Sequence, residues 1–150
     1  AMLLAKDPKT NVNAQNQLGE TPLMLAAIGN QIELANVLIE RGADVNRPGW
    51  TPLHYAASKG HREMMRLLLT HDAYIDSEAA NATTPLMMAA FSTSPLAVKL
   101  LLEEGADPTL TNHANASALD IALSKGHEQS AFYIKAFIEA WYIQNPLSEQ

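Results

Sequence analysis

One short pattern returns four times along this chain: TPLMLAA from Thr21, TPLHYAA from Thr51, TPLMMAA from Thr84 and a degenerate SALDIAL from Ser117. The intervals are 30, 33 and 33 residues. Each run is followed by a second amphipathic stretch, beginning near Glu33, Glu63, Leu96 and Gln129. Repetition at such a period constrains the fold more than any single motif. One unit of this size cannot bury its own apolar face, so the units must stack and build a core between neighbours.

The residues of the unit explain its local structure. Thr21, Thr51 and Thr84 stand where a hydroxyl caps a helix, and Pro22, Pro52 and Pro85 follow at the first helical position, where a missing N–H costs nothing. The pairs Ala26/Ala27, Ala56/Ala57 and Ala89/Ala90 are small enough for neighbouring helices to approach closely. Gly60, Gly126 and Asn30 fall between the two helices, where a left-handed residue is wanted, and Gly42, Gly105 and Asp72 take the same role after the second helix. Thr93 breaks this pattern, and Ser94-Pro95 supplies an alternative start for the second helix of its unit. In the last unit Phe132, Tyr133, Ile134, Phe137, Ile138, Trp141 and Tyr142 predict a longer, aromatic helix that caps the stack and ends before Pro146.

Composition removes several classes of function. Ten Lys+Arg against 16 Asp+Glu leave a net charge of −6, which opposes a phosphate backbone, so nucleic acid is not expected as a partner. No run of apolar residues is long enough for a membrane span. The chain has no cysteine, so it has no disulfide and no thiolate metal site. No HExxH, GxSxG or phosphate-cradling glycine loop occurs, and no catalytic residue, metal ligand or cofactor is expected. His54, His61, His71 and His127 are read as structural imidazoles, and Met24, Met64, Met65, Met87 and Met88 as core.

The 33-residue spacing, the Thr-Pro-Leu starts, the alanine pairs and the Gly-Ala-Asp endings resemble the ankyrin repeat over nearly the whole chain. The resemblance implies an all-α solenoid of paired antiparallel helices with β-hairpin-like fingers between the pairs. It also implies a noncatalytic module that binds a protein on a concave groove made by finger tips and the outward faces of the first helices. The chain then divides into a truncated unit at 1–10, full units at 11–46, 47–76 and 77–109, and a capping unit at 110–145. Met2, Leu3 and Leu4 read as the last turn of the truncated unit, with further repeats upstream. The short finger before Gly49-Trp50-Thr51-Pro52-Leu53 is similar to exported bacterial ankyrin proteins. That similarity implies a periplasmic location, with the cytoplasm as the alternative, but does not supply the partner. The module is expected to be a monomer, and inhibition or protection of an exported enzyme is one role such a location allows. Asn81-Ala82 departs from the Asn-Gly expected there.

Counting from each capping residue, the resemblance places Leu18, Glu20, Ile28, Trp50, Lys59, Asn81, Thr83, Phe91 and Ser92 on the groove, with Arg47 in the short finger beside them. Leu18, Ile28, Trp50 and Phe91 form an apolar stripe, and Trp50 is the expected anchor. Trp50 folding back on Pro48 or Pro52 is the alternative. From Val12 to Thr21 and from Ile75 to Thr84 there are nine steps, but only six from Val45 to Thr51, so one finger lacks three residues. Both a dedicated pocket and a neutral deletion fit that loss. The second functional reading is a scaffold segment of a longer array.

Overall fold

The computed structural model describes residues 11–145. Met2, Leu3, Leu4 and Pro146, which carry sequence expectations, lie outside them. The described residues form eight helices: α1 Pro22–Ile28, α2 Ile32–Glu40, α3 Pro52–Lys59, α4 Arg62–Thr70, α5 Pro85–Phe91, α6 Pro95–Glu103, α7 Ala118–Ser124 and α8 Glu128–Gln144. The array is therefore all-α among those residues, as the ankyrin resemblance implied. The first helices α1, α3, α5 and α7 pack in sequence, each against the next. The second helices touch one another more lightly until α6 meets α8.

Each first helix begins where its hydroxyl stands. The Oγ atoms of Thr21, Thr51, Thr84 and Ser117 accept the N–H three residues on, from Met24, His54, Met87 and Asp120. In three of the four units the side chain at that third position returns the bond to the capping residue's backbone: a thioether in Met24, an imidazole in His54 and a carboxylate in Asp120. Ser94 caps α6 as expected, accepting from the Ala97 N–H at 3.2 Å. All six alanines of the expected pairs are fully buried, as are Met64 and Met65, with Met24 and Met87 nearly so. At the alanine positions the helices can approach closely because each side chain there is only a methyl group.

The turns between helices are pinned to the preceding units. Gly60, Gly126 and Asn30 all adopt positive φ, and so do Gly42, Gly105 and Asp72 after the second helices. The His61 Nε2–H donates to the Ile28 carbonyl at 3.0 Å, and the His127 Nδ1–H to the Ala90 carbonyl at 2.9 Å. Each imidazole thus satisfies a carbonyl left open at a helix end.

The fingers are turns and not strands: a single isolated bridge, Thr111 to Ser117, occurs among the described residues. The final helix is long and aromatic, as expected, and much of its apolar surface stays in water. It buries Ser130, Ala131 and Ile134, but Phe132 is 62% exposed and Ile143 79%. At 17 residues α8 is far longer than the 7-residue α7, so its last turns run past their packing partner.

Candidate functional site

Four fingers precede the four first helices, and their tips share one device. The residue two before each cap is left-handed: Gly19, Gly49, Ala82 and Asn115 have φ of 79°, 81°, 63° and 61°. Ala82 keeps the expected glycine geometry despite its Cβ, which costs about 1–2 kcal/mol. The three full-length fingers close on a backbone bond, Asn16 N–H to the Glu20 carbonyl, Ala79 to Thr83 and Asn112 to Ala116, at 2.9–3.0 Å. In the shortened finger the residue at the corresponding place is Asn46, which has another task.

That task is a ladder of side chains running from finger to finger. Asn13 Nδ2 donates to the Gly42 carbonyl at 3.2 Å, while its Oδ1 accepts the Asp44 N–H at 2.8 Å. Asn46 repeats this, donating to the Asp72 carbonyl at 2.8 Å and accepting from the Tyr74 N–H at 2.7 Å. In the third finger Asp76 accepts the Asp107 N–H at 3.1 Å, but an ionised carboxylate has no hydrogen to return to Gly105. Burial pushes the Asp76 carboxyl above its ordinary value, and the Asp107 charge adds to this against the pull of the Asp107 N–H.

The structure gathers some of the expected site residues and separates others. Trp50 is half-buried, with its ring 5.2 Å from that of His54, edge-on, and 6.4 Å from that of Tyr55. It therefore lies on the first turn of α3 and does not stand free as an anchor. His54 beneath it is fully buried, with its Nε2–H donating to the Thr83 carbonyl at 2.8 Å and its Nδ1 accepting from the Thr51 N–H at 3.1 Å. Burial lowers the pKa of His54, against the opposing pull of the Thr83 and Ser77 backbone bonds. Glu20 is half-buried and accepts from Asn16 Nδ2 at 3.0 Å. Arg47 turns back onto the preceding finger, its Nη1 donating to the Gly19 carbonyl and the Met24 thioether, both at 2.9 Å. Glu20, Arg47 and Trp50 thus meet around Tyr55, whose phenol is pushed up by burial first and the Glu20 charge second, against Arg47.

Leu18 is 82% exposed at the first fingertip and Phe91 46% exposed at the end of α5, with Lys125 Nζ 5.3 Å from the centre of the Phe91 ring. Ile28 is half-buried and Lys59 exposed. Asn81 is exposed at its fingertip, where its Oδ1 accepts from the Thr83 N–H and its carbonyl from the His113 N–H. Thr83 and Ser92, expected on the groove, are buried instead, because the Thr83 carbonyl receives His54 and the Ser92 hydroxyl bonds the Ala89 carbonyl. Tyr55 and Leu25 were missed. They stand four residues after their caps, and on a helix that position shares a face with the seventh, which holds Ile28 and Phe91.

The shortened finger does open a notch. A cleft of about 730 Å³ lies between Asn46–Gly49 on one side and Tyr74, Asp76–Glu78, Asp107 and Leu110 on the other. Trp50 does not line it. Among the described residues no group of three or more His, Asp or Glu is placed to hold a metal ion, and no helix is long and apolar enough to cross a membrane.

Known proteins agree with this architecture. The family profile "Ankyrin repeats (3 copies)" matches residues 1–79, and "Ankyrin repeat" matches residues 81–113. The chain is 34% identical over 129 residues to "Ankyrin repeat and KH domain-containing protein mask-1" of Caenorhabditis elegans, which covers 83% of this chain and 5% of that protein. It is 38% identical over 92 residues to inversin of Canis lupus familiaris, covering 59% of this chain and 8% of inversin. Against human "Ankyrin repeat and KH domain-containing protein 1" the figures are 41% over 87 residues, 55% and 3%. The chain spans less than a tenth of each of these relatives, all animal proteins. With two profiles covering most of its length and the repeat geometry present in every unit, this chain belongs to the ankyrin-repeat family.

Proposed function

We propose that this protein is a noncatalytic interaction module that holds one protein partner along the groove defined by its fingertips and first helices. Ankyrin repeats as a class mediate protein–protein contacts. The observation that carries it is the exposure of Leu18, Leu25 and Phe91 at fingertip and first-helix positions. Apolar side chains left in water on a rigid frame are suited to covering by a partner. Trp50 serves as a half-buried floor braced by His54 and Tyr55, and Phe91 with Lys125 as a second contact point. Glu20, Lys59 and Asn81 form the polar rim, and Arg47 fixes the finger that carries Trp50.

The experiment is co-purification from the natural source with wild type and with Leu18→Ser/Phe91→Ser. Both positions are exposed, so the double variant should fold. Partner recovery is expected to fall at least about tenfold, the consequence of losing roughly 1.4 kcal/mol. Unchanged recovery would overturn the groove assignment. That the module acts as a monomer, and that it inhibits or protects an exported enzyme in a periplasm, are further proposals. The latter rests on the short finger and the Gly49–Leu53 run alone, and fractionation of cells making the natural protein tests it. The fraction of each relative covered, from 3 to 8%, favours a second reading as one segment of a longer array.

A further inference from the structure

Three features coincide at the cleft beside the shortened finger. The first is shape: about 730 Å³ of open volume, walled by Pro48 on one finger and by Tyr74 and Leu110 on the others, within the size range of ligand sites. The second is a largely exposed aromatic side chain, Tyr74, 63% of which is open to water. The third is the interrupted ladder. Asn13 and Asn46 each supply a hydrogen to the carbonyl of the neighbouring finger, but the aspartate at 76 places a carboxylate where the pattern calls for a donor. Asp76, Glu78 and Asp107 line the same space. The guanidinium of Arg47, which borders it, is committed to Gly19 and Met24 of the preceding unit.

A solvated acidic face is ordinary. This one is walled, carries a largely exposed aromatic ring, and lacks a hydrogen-bond donor at a position where the two preceding fingers have one. An arginine side chain meets all three conditions, with a planar fork of N–H donors for carboxylates and carbonyls and a face that stacks on aromatic rings. We propose that the cleft between the second and third fingers receives an arginine side chain of a protein partner, stacked on Tyr74 and bonded to the Asp76 and Glu78 carboxylates. Of the residues assigned to the groove, only Arg47 borders this cleft, so the proposal goes beyond that reading and does not depend on it.

The test is a titration of the whole chain, ¹⁵N-labelled, with the blocked peptide acetyl-Gly-Arg-Gly-amide at millimolar concentration, followed by ¹H–¹⁵N chemical shifts. Saturable shifts are expected at the Ser77, Glu78 and Asp107 amides and at the Asn46 side-chain amide. The citrulline counterpart, equal in shape but uncharged, should bind about tenfold more weakly, as should arginine peptide to Glu78→Gln; Tyr74→Leu should lose about threefold. Glu78 and Tyr74 are exposed, so these variants keep the fold, and unchanged shifts elsewhere in the spectrum verify it. Three results would each overturn the proposal: no shift at the cleft, equal binding of the citrulline peptide, or shifts spread over acids outside the cleft such as Glu33, Glu40 and Glu103. The Leu18→Ser/Phe91→Ser variant should bind the peptide as wild type does, which separates failure here from failure of the groove.

Discussion

The junction of the second and third fingers and the junction of the third and fourth use the same ladder position, and there they differ by one atom type. At the first, Asn46 makes two bonds to its neighbour; at the second, Asp76 makes one. On the other side of the array, Gly60 lies so close to the third unit that an added Cβ would sit 2.6 Å from the Ser94 Cβ, whereas the space around Gly126, on the last unit, is open. The junction of the third and fourth units is lighter between its fingers, where one bond replaces two, but its second helices α6 and α8 pack more fully than the earlier second helices do. In a stack whose stability is a sum of unit and interface contributions, local opening at that junction should begin at the fingers.

The contrast is most exposed to test at the two glycines. Gly60→Ala adds left-handed strain to a steric overlap and should cost about 3 kcal/mol, while Gly126→Ala carries the strain alone at about 1 kcal/mol. Urea unfolding of both variants measures the difference, and equal losses would mean that Ser94 yields freely. His54 tests the interior junction from beneath Trp50. His54→Ala removes the bonds to Thr51 and Thr83 and leaves a cavity, for about 2–3 kcal/mol.

Its titration gives a second readout. Above the ordinary value of 6.5 the imidazole is neutral whether the chain is folded or not. Below it the unfolded chain takes up the proton first, because the folded value is lowered, so stability falls as the pH drops through 6.5 and below. Denaturation across that window should show this slope in wild type and a reduced one in His54→Gln.

Smaller effects come from the ladder. Asn46→Ala should cost about 2 kcal/mol, and Asp76→Asn, which restores the missing donor, should gain about 1 kcal/mol in thermal or urea unfolding. The smallest expected change is a gain of about 0.5 kcal/mol for Ala82→Gly, since relief of the left-handed strain is partly offset by the freedom glycine adds to the unfolded chain.

Much of this was legible in the residues. The period, the hydroxyl caps, Pro at the first helical position and the buried alanine pairs follow from local chemistry, and each appeared where counting placed it. Even the fourth unit, whose helices lie beyond the matched residues, was visible in Ser117 and the SALDIAL run. The candidate site was read less well. Its positions could be numbered from the caps, but the partners of each side chain are set across units. Arg47 reaches Gly19, 28 residues away, and His54 reaches Thr83, 29 away. No local pattern announces such pairs.

Sequence alone determined that these helices form, where they start and that they must stack, because caps, turn residues and small-residue pairs act within a few positions of one another. Tertiary structure decided which side chains remain available to a partner. It laid Trp50 on His54 and Tyr55, drew Arg47 back to the preceding finger, left Leu18 and Phe91 in water, and placed the three-residue loss beside Tyr74 and Asp76. Exposure is a property of the stack and not of the residue: it depends on the rise from one unit to the next, which the packing of the whole array sets.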